Sequence, residues 1–199
     1  MKTAAPPKVV AVYGFLGSGK TTLMLNLARK AAAANRKSAV LINEAGDVPV
    51  DGKLFTVNGL AVREIFGGCI CCSLGGDFIE TLKAMLGIPK LDYIFVEPSG
   101  MADARQLFHS IQKHLKVPIS RIMLLDGPRL PLLLKAASGI LTRQFEAAEI
   151  VLLNKVDAMT RDRLAEAQEL LVSFGIRGRV GHISAKNGLP KGLEEEILA

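Results

Sequence analysis

The sequence predicts an α/β fold, a mostly parallel β-sheet with helices on both faces. Short runs of almost pure Val, Ile and Leu alternate with longer amphipathic segments. Strands covered on both sides need that unbroken apolar character. The chain's 199 residues, 49% apolar and 22% charged, suffice for a core of ordinary size without metal or disulfide support. The whole chain, 1–199, is therefore expected to be one domain, without internal repeat or linker.

The elements follow in order. Lys8–Tyr13 (KVVAVY) is a β-rich run, and an Ala- and Leu-rich helix extends from Lys20 to about Ala34. Ser38–Asn43 is a second strand. Residues 44–60, rich in Gly, Asp and Pro, predict a long loop with a short strand at Leu54–Val57. Val62–Phe66 is a strand leading into Gly67, Gly68 and the cysteines, and a helix runs from about Asp77 to Leu86. Asp92–Val96 and Arg121–Leu125 are strands flanking a helix at Ala102–Leu115. Pro128–Ala137 and Leu141–Ala147 predict two short helices. After a strand at Ile150–Leu153, the helix Arg161–Phe174 places Leu164, Ala167, Leu171 and Phe174 on one face. Arg179–Ile183 is a final strand, and a terminal helix begins near Leu189.

Composition excludes several classes. No run approaches the roughly 18 apolar residues of a membrane span. The start, MKTAAPPK, lacks the apolar centre of a signal peptide. All three cysteines fall in Cys69-Ile70-Cys71-Cys72, which cannot form a disulfide framework, so a reducing, cytoplasmic setting is expected. The net charge of +6 suits an anionic ligand. Its basic residues are scattered, however, and two Tyr without Trp offer little for base stacking, so neither nucleic acid nor membrane is an expected partner.

Gly14-Phe15-Leu16-Gly17-Ser18-Gly19-Lys20-Thr21 is a complete phosphate-binding loop between a strand and a helix, the signature of a P-loop NTPase. The backbone of Gly17, Ser18 and Gly19 can wrap the phosphates, Lys20 reaches the β- and γ-phosphates, and Thr21 can hold Mg²⁺. Thr22 is assigned to the α-phosphate. Asn154-Lys155-Val156-Asp157 follows an apolar strand. A carboxylate at Asp157 accepts both guanine N1–H and the 2-amino group, a donor pair adenine lacks. Ser184-Ala185-Lys186, after the last strand, supplies a second clamp on the base. GTP is the expected nucleotide.

Phe95-Val96-Glu97-Pro98-Ser99-Gly100 ends another apolar strand. An acid three positions before a glycine is the arrangement that senses the γ-phosphate, Glu97 through Mg²⁺ and Gly100 through its amide. The thiols of Cys69, Cys71 and Cys72 suit Zn²⁺ or Cu(I), and three local ligands leave a coordination position open. His109, His114 and His182 are read as ordinary surface or core histidines. Arg105, Arg121, Arg129 and Arg177 have no partner legible in the sequence.

GFLGSGKTT, NE followed by a Gly-acid-Val loop, GGCICC, EPSGMAD, NKVD and SAK occur in this order over nearly the whole chain. The set resembles the CobW-like metallochaperone GTPases, relatives of the nickel-insertion GTPases of urease and hydrogenase maturation. The resemblance implies a GTPase that binds Zn²⁺, Co²⁺, Ni²⁺ or a similar ion and delivers it, or a metal cofactor, to a client metalloprotein or cofactor enzyme. No arginine finger or water-positioning glutamine is legible in the sequence, so slow turnover by the chain alone is expected, completed by a partner or by a homodimer formed on GTP or metal binding. The resemblance adds Glu44 to the transition-metal ligands Cys69, Cys71 and Cys72, Asp51 to the Mg²⁺ set of Thr21 and Glu97, and Asp47 to the catalytic set of Lys20, Glu97 and Gly100. Ala45 stands where the family has Phe, and Pro49 where it commonly has Gly. The family's second, smaller domain and histidine-rich stretch are not in this sequence, so the GTPase domain alone is expected. The alternatives are a P-loop kinase acting on a small molecule and a GTP-dependent metal-binding module that does not hydrolyse.

Overall fold

A computed structural model describes residues 6–44, 54–57, 60–66, 74–98, 104–176 and 180–199. In chain order they form β1 (Lys8–Tyr13), α1 (Lys20–Ala33), β2 (Ser38–Glu44), β3 (Leu54–Val57), β4 (Leu60–Phe66), α2 (Leu74–Leu86), β5 (Tyr93–Glu97) and α3 (Ala104–Leu115). There follow β6 (Ile119–Asp126), a 3₁₀ turn at Gly127–Arg129, α4 (Leu130–Ala147), β7 (Ile150–Asn154), a second 3₁₀ turn at Val156–Ala158, α5 (Arg161–Ser173), β8 (Val180–His182) and α6 (Lys191–Leu198).

The strands make one eight-stranded sheet in the order β3-β4-β2-β5-β1-β6-β7-β8. Every neighbouring pair is parallel except β3 with β4, which are antiparallel. The long loop expected over 44–60 thus gives part of its length to this antiparallel edge, with Val57 opposite Leu60. From β1 the chain crosses over β5 to β2, and from β5 it crosses over β1 to β6. That reversal at β1 puts the carboxyl ends of β5, β1 and β6 side by side, the place where open α/β sheets bind ligands.

Alternation along β1 explains the layers. Val10 and Val12 pack with Leu23, Met24 and Leu27 of α1 and with Leu193 and Ile197 of α6. Val9, Ala11 and Tyr13 face the other side, where Phe78 and Leu82 of α2, Phe108 and Ile111 of α3, Leu134 and Leu141 of α4 and Leu171 of α5 close the second core layer. Each fully buried side chain of this size is worth ~2 kcal/mol of transfer free energy. Tyr13 is the polar exception: its buried hydroxyl donates to the Gln144 carbonyl at 3.0 Å, and burial raises its pKa.

The two short helices expected after β6 are found within α4, separated by a kink at Ala137 (φ −142°, ψ 32°), the residue at which the first was expected to end; Ser138 and Gly139 weaken helical preference there. One expectation is corrected. Phe174 does not share the buried face of α5. The helix ends at Ser173, and Phe174 lies at its C-cap, 37% exposed, while Ala167 and Leu171 are buried. The start of α5 is set by Thr160, whose hydroxyl accepts the Arg163 N–H.

Candidate functional site

The glycine loop is wedged between the carboxyl ends of three strands. Gly14 has φ +141°, and a Cβ there would stand 2.1 Å from the Leu124 carbonyl oxygen of β6, so only glycine lets β1 turn so close to its neighbour. Gly19 (φ +98°) caps α1, and a Cβ on it would meet the Asn154 amide nitrogen at 2.5 Å. No acidic residue occupies the first turn of α1, so its positive end is left for a ligand anion.

Lys20, Thr21 and Glu97 come together at the mouth of the loop. Glu97, at the end of β5, is 6% exposed. Its Oε1 is 3.4 Å from Lys20 Nζ, and its Oε2 accepts the Thr21 hydroxyl at 2.7 Å. Lys20 Nζ also donates to the Phe15 carbonyl at 3.3 Å. A hydroxyl and a carboxylate converging in this way are the hard oxygen donors that Mg²⁺ takes, so the residues fit the ion.

On the other side, β7 delivers Asn154. Its side-chain nitrogen donates to the Ser18 carbonyl at 2.6 Å, and its oxygen accepts the Ala185 N–H at 2.7 Å. One buried amide therefore ties the phosphate loop to the Ser184-Ala185-Lys186 turn. Lys155, in the left-handed conformation (φ 64°), donates through Nζ to the Gly17 carbonyl at 2.6 Å and to Asp126 Oδ2 at 2.7 Å. Beside these contacts lies a cavity of about 240 Å³, of a size suited to a purine ring. Gly19 and Thr22 line it from the loop side, Asp157, Ser184, Ala185 and Lys186 from the other. Ser184 Oγ is buried there without a hydrogen-bond partner among the described residues, a polar atom available to a ligand or a water.

Of the remaining candidates, Glu44 is the last residue of β2. Asp47, Asp51, Cys69, Cys71, Cys72 and Gly100 lie outside the described residues, as does Arg177. The backbone still fixes where their segments start. Glu44 is the register partner of Phe66, the final residue of β4, and Ile42 is that of Glu97. The strand leading into the cysteines thus ends beside β2, at the same sheet edge as Glu97.

Sequence reasoning missed Asp126 and Asn26. Asp126 is 2% exposed at the end of β6 and anchors Lys155; an acid ending an apolar strand was the available signal, as at Glu97. Asn26 of α1 donates to the Ala185 carbonyl, a long-range contact with no local sequence mark. Arg105 pairs with Glu146 and Arg121 with Glu149, at the surface. His109 lines a separate cavity of about 960 Å³ between α3 and α4 that contains none of the expected site residues. His114 bonds Ser110, and His182 lies 3.1 Å from Gln168 Nε2.

A family model of the CobW/HypB/UreG nucleotide-binding domain matches residues 8–175. The chain belongs to this family. It is 38% identical over 154 residues to the zinc chaperone YeiR of Escherichia coli strain K12, covering 75% of this chain and 46% of YeiR. It is 33% identical over 122 residues to the zinc chaperone CobW of Pseudomonas aeruginosa, 56% of this chain and 32% of that protein. The chain thus matches less than half the length of either relative. A crystal structure of Zn(II)-bound YjiA GTPase from E. coli shares the fold, with a TM-score of 0.63 and 24% identity, over 96% of this chain and 61% of YjiA. Among the described residues no helix is long and apolar enough to cross a membrane.

Proposed function

We propose that this CobW/HypB/UreG-family chain binds and hydrolyses GTP and couples that cycle to holding a transition metal, Zn²⁺ first, for transfer to a client metalloprotein. The observation that carries the nucleotide part is the direct joint between Asn154 and Lys155 and the carbonyls of Ser18 and Gly17. It makes a phosphate cradle and a base-sized cavity one continuous site.

In this reading the N–H groups of Gly17, Ser18 and Gly19 and the start of α1 bind the phosphates, with Lys20 countering charge on the β- and γ-phosphates. Asp157 accepts the two guanine donors, and Ser184, Ala185 and Lys186 close over the base. Thr21 and Glu97 hold Mg²⁺, with Asp51 proposed as a further contributor. When bound, the ion would supply charge neutralisation to the polyphosphate. Binding nucleotide draws Lys20 from Glu97 toward the phosphates, and Glu97 with Gly100 registers whether the γ-phosphate is present. Asp47 is proposed at the same catalytic edge.

For the metal, Cys69, Cys71 and Cys72 with Glu44 are the proposed ligands of a transferable ion. That β2, β4 and β5 end at the same end of the sheet supports a mechanical link, because β2 ends at Glu44 and β4 at Phe66, shortly before the cysteines in sequence, with β5 ending at Glu97 on the other side of β2. The zinc-chaperone relatives support zinc as the cargo. The test is phosphate release from GTP and ATP, with and without Zn²⁺. The proposal expects release from GTP well above ATP and a change in rate with Zn²⁺. Preference for ATP would overturn it.

A further inference from the structure

We propose that Arg129 is a further nucleotide-contacting residue, an arginine supplied in cis that adds positive charge to the polyphosphate across Gly17. The proposal rests on reading the glycine loop as a GTP phosphate site.

Arg129 leaves β6 on a rigid turn, Asp126-Gly127-Pro128-Arg129. Asp126 Oδ1 accepts the Arg129 backbone N–H at 3.3 Å, while Oδ2 accepts Lys155 Nζ at 2.7 Å. Pro128 fixes its own φ. A Cβ on Gly127 would meet the Met159 sulfur at 2.5 Å and the Asn154 carbonyl at 2.8 Å, so the turn is packed against the base-side motif. From this anchor the Arg129 side chain reaches the phosphate loop: Nη1 is 3.6 Å from where a Cβ of Gly17 would stand.

The neighbouring cations are already engaged. Lys20 faces Glu97 and the Phe15 carbonyl, and Lys155 is bound to Asp126 and the Gly17 carbonyl. Arg36, Arg105 and Arg121 each pair with a carboxylate. The exposed Arg129 guanidinium has no hydrogen bond or ion pair among the described residues, yet its backbone is held in place. A permanently charged, two-pronged donor held beside a loop built for phosphate is suited to paired phosphate oxygens. Its contribution should grow with the charge of the polyphosphate: absent for a monophosphate, present for a diphosphate, largest for a triphosphate.

The test is fluorescence titration of GMP, GDP and GTP, with Mg²⁺, against the full chain, R129A and R129K. Thermal melting should show that both variants stay folded. We expect R129A to weaken GTP binding by about tenfold, GDP by less, and GMP hardly at all. R129K should recover part of the GTP loss because it restores charge without the fork. An equal loss for all three nucleotides, or none for GTP, would overturn the assignment. Failure of the GTP reading would instead appear in the unmodified chain, as ATP binding no weaker than GTP.

Discussion

Lys155 Nζ sits 2.6 Å from the Gly17 carbonyl oxygen, so a residue of the Asn154-Lys155-Val156-Asp157 motif holds the glycine loop directly. Its second contact, to the buried Asp126, keeps the ammonium in place and balances its charge. Asp126→Asn leaves an acceptor but removes that balance. We expect GMP, GDP and GTP affinities to fall together, by about tenfold. Parallel titration of the three checks it; a loss confined to GTP would contradict the positioning role.

Lys20→Ala should abolish GTP turnover. It also strands Glu97, 6% exposed, without its cation, and a buried unpaired carboxylate costs ~3 kcal/mol. A lower melting temperature should therefore accompany the lost activity. Zn²⁺ affinity measured without nucleotide should stay unchanged. An equal loss of Zn²⁺ binding would show that the two sites are not separable.

Asp157→Asn tests the base. An Asn carboxamide offers one acceptor and one donor, which no longer matches guanine's two donors but does match the N1–H and 2-oxo group of xanthine. GTP affinity should drop by about a hundredfold and XTP affinity rise. Competition binding with GTP, XTP and ATP checks it; unchanged GTP binding would remove Asp157 from the base site.

Away from the site, Asp92 accepts the Lys37 backbone N–H and the Arg36 guanidinium, each at 2.8 Å. The Lys37 bond, then the Arg36 bond, hold its pKa below the ordinary carboxylate value. The folded-state pKa is the lower one, so its stabilisation is fully present above the unfolded value near 4 and fades as pH falls toward the folded value. Asp92→Asn should lower the melting temperature at neutral pH, with the gap to the unmodified chain closing in acid. A gap independent of pH would contradict this.

Most of the architecture could be read from the sequence because this fold writes itself locally. Strands such as KVVAVY and IVLLN are apolar but for a terminal Lys8 or Asn154, and β1 runs over Lys8–Tyr13 as expected. Glu97 and Asn154 end strands, Lys20 and Thr21 open α1, and Lys155 and Asp157 follow β7, places where motif spacing can locate them. What escaped depends on distance in the fold. Asn26 meets Ala185 across 159 positions, and Asp126 meets Lys155 across a strand crossover, so neither has a periodic or spacing signature. The kink in α4 was legible because Ser138-Gly139 reads as a break just after Ala137, while Leu134 and Leu141, one on each side of it, both pack into the core. β3 lies at Leu54–Val57 as expected, but its antiparallel pairing with β4 was not legible, because the edge depends on β4 lying next to β2.

The proposed coupling of nucleotide to metal is tested most directly by titrating Zn²⁺ against the chain loaded with GDP and with a non-hydrolysable GTP analogue. β2 ends at Glu44, β4 ends at Phe66 shortly before the cysteines in sequence, and β5 ends at Glu97, all at the same end of the sheet, so the two zinc dissociation constants should differ by about tenfold or more. Identical constants in the two forms would contradict it.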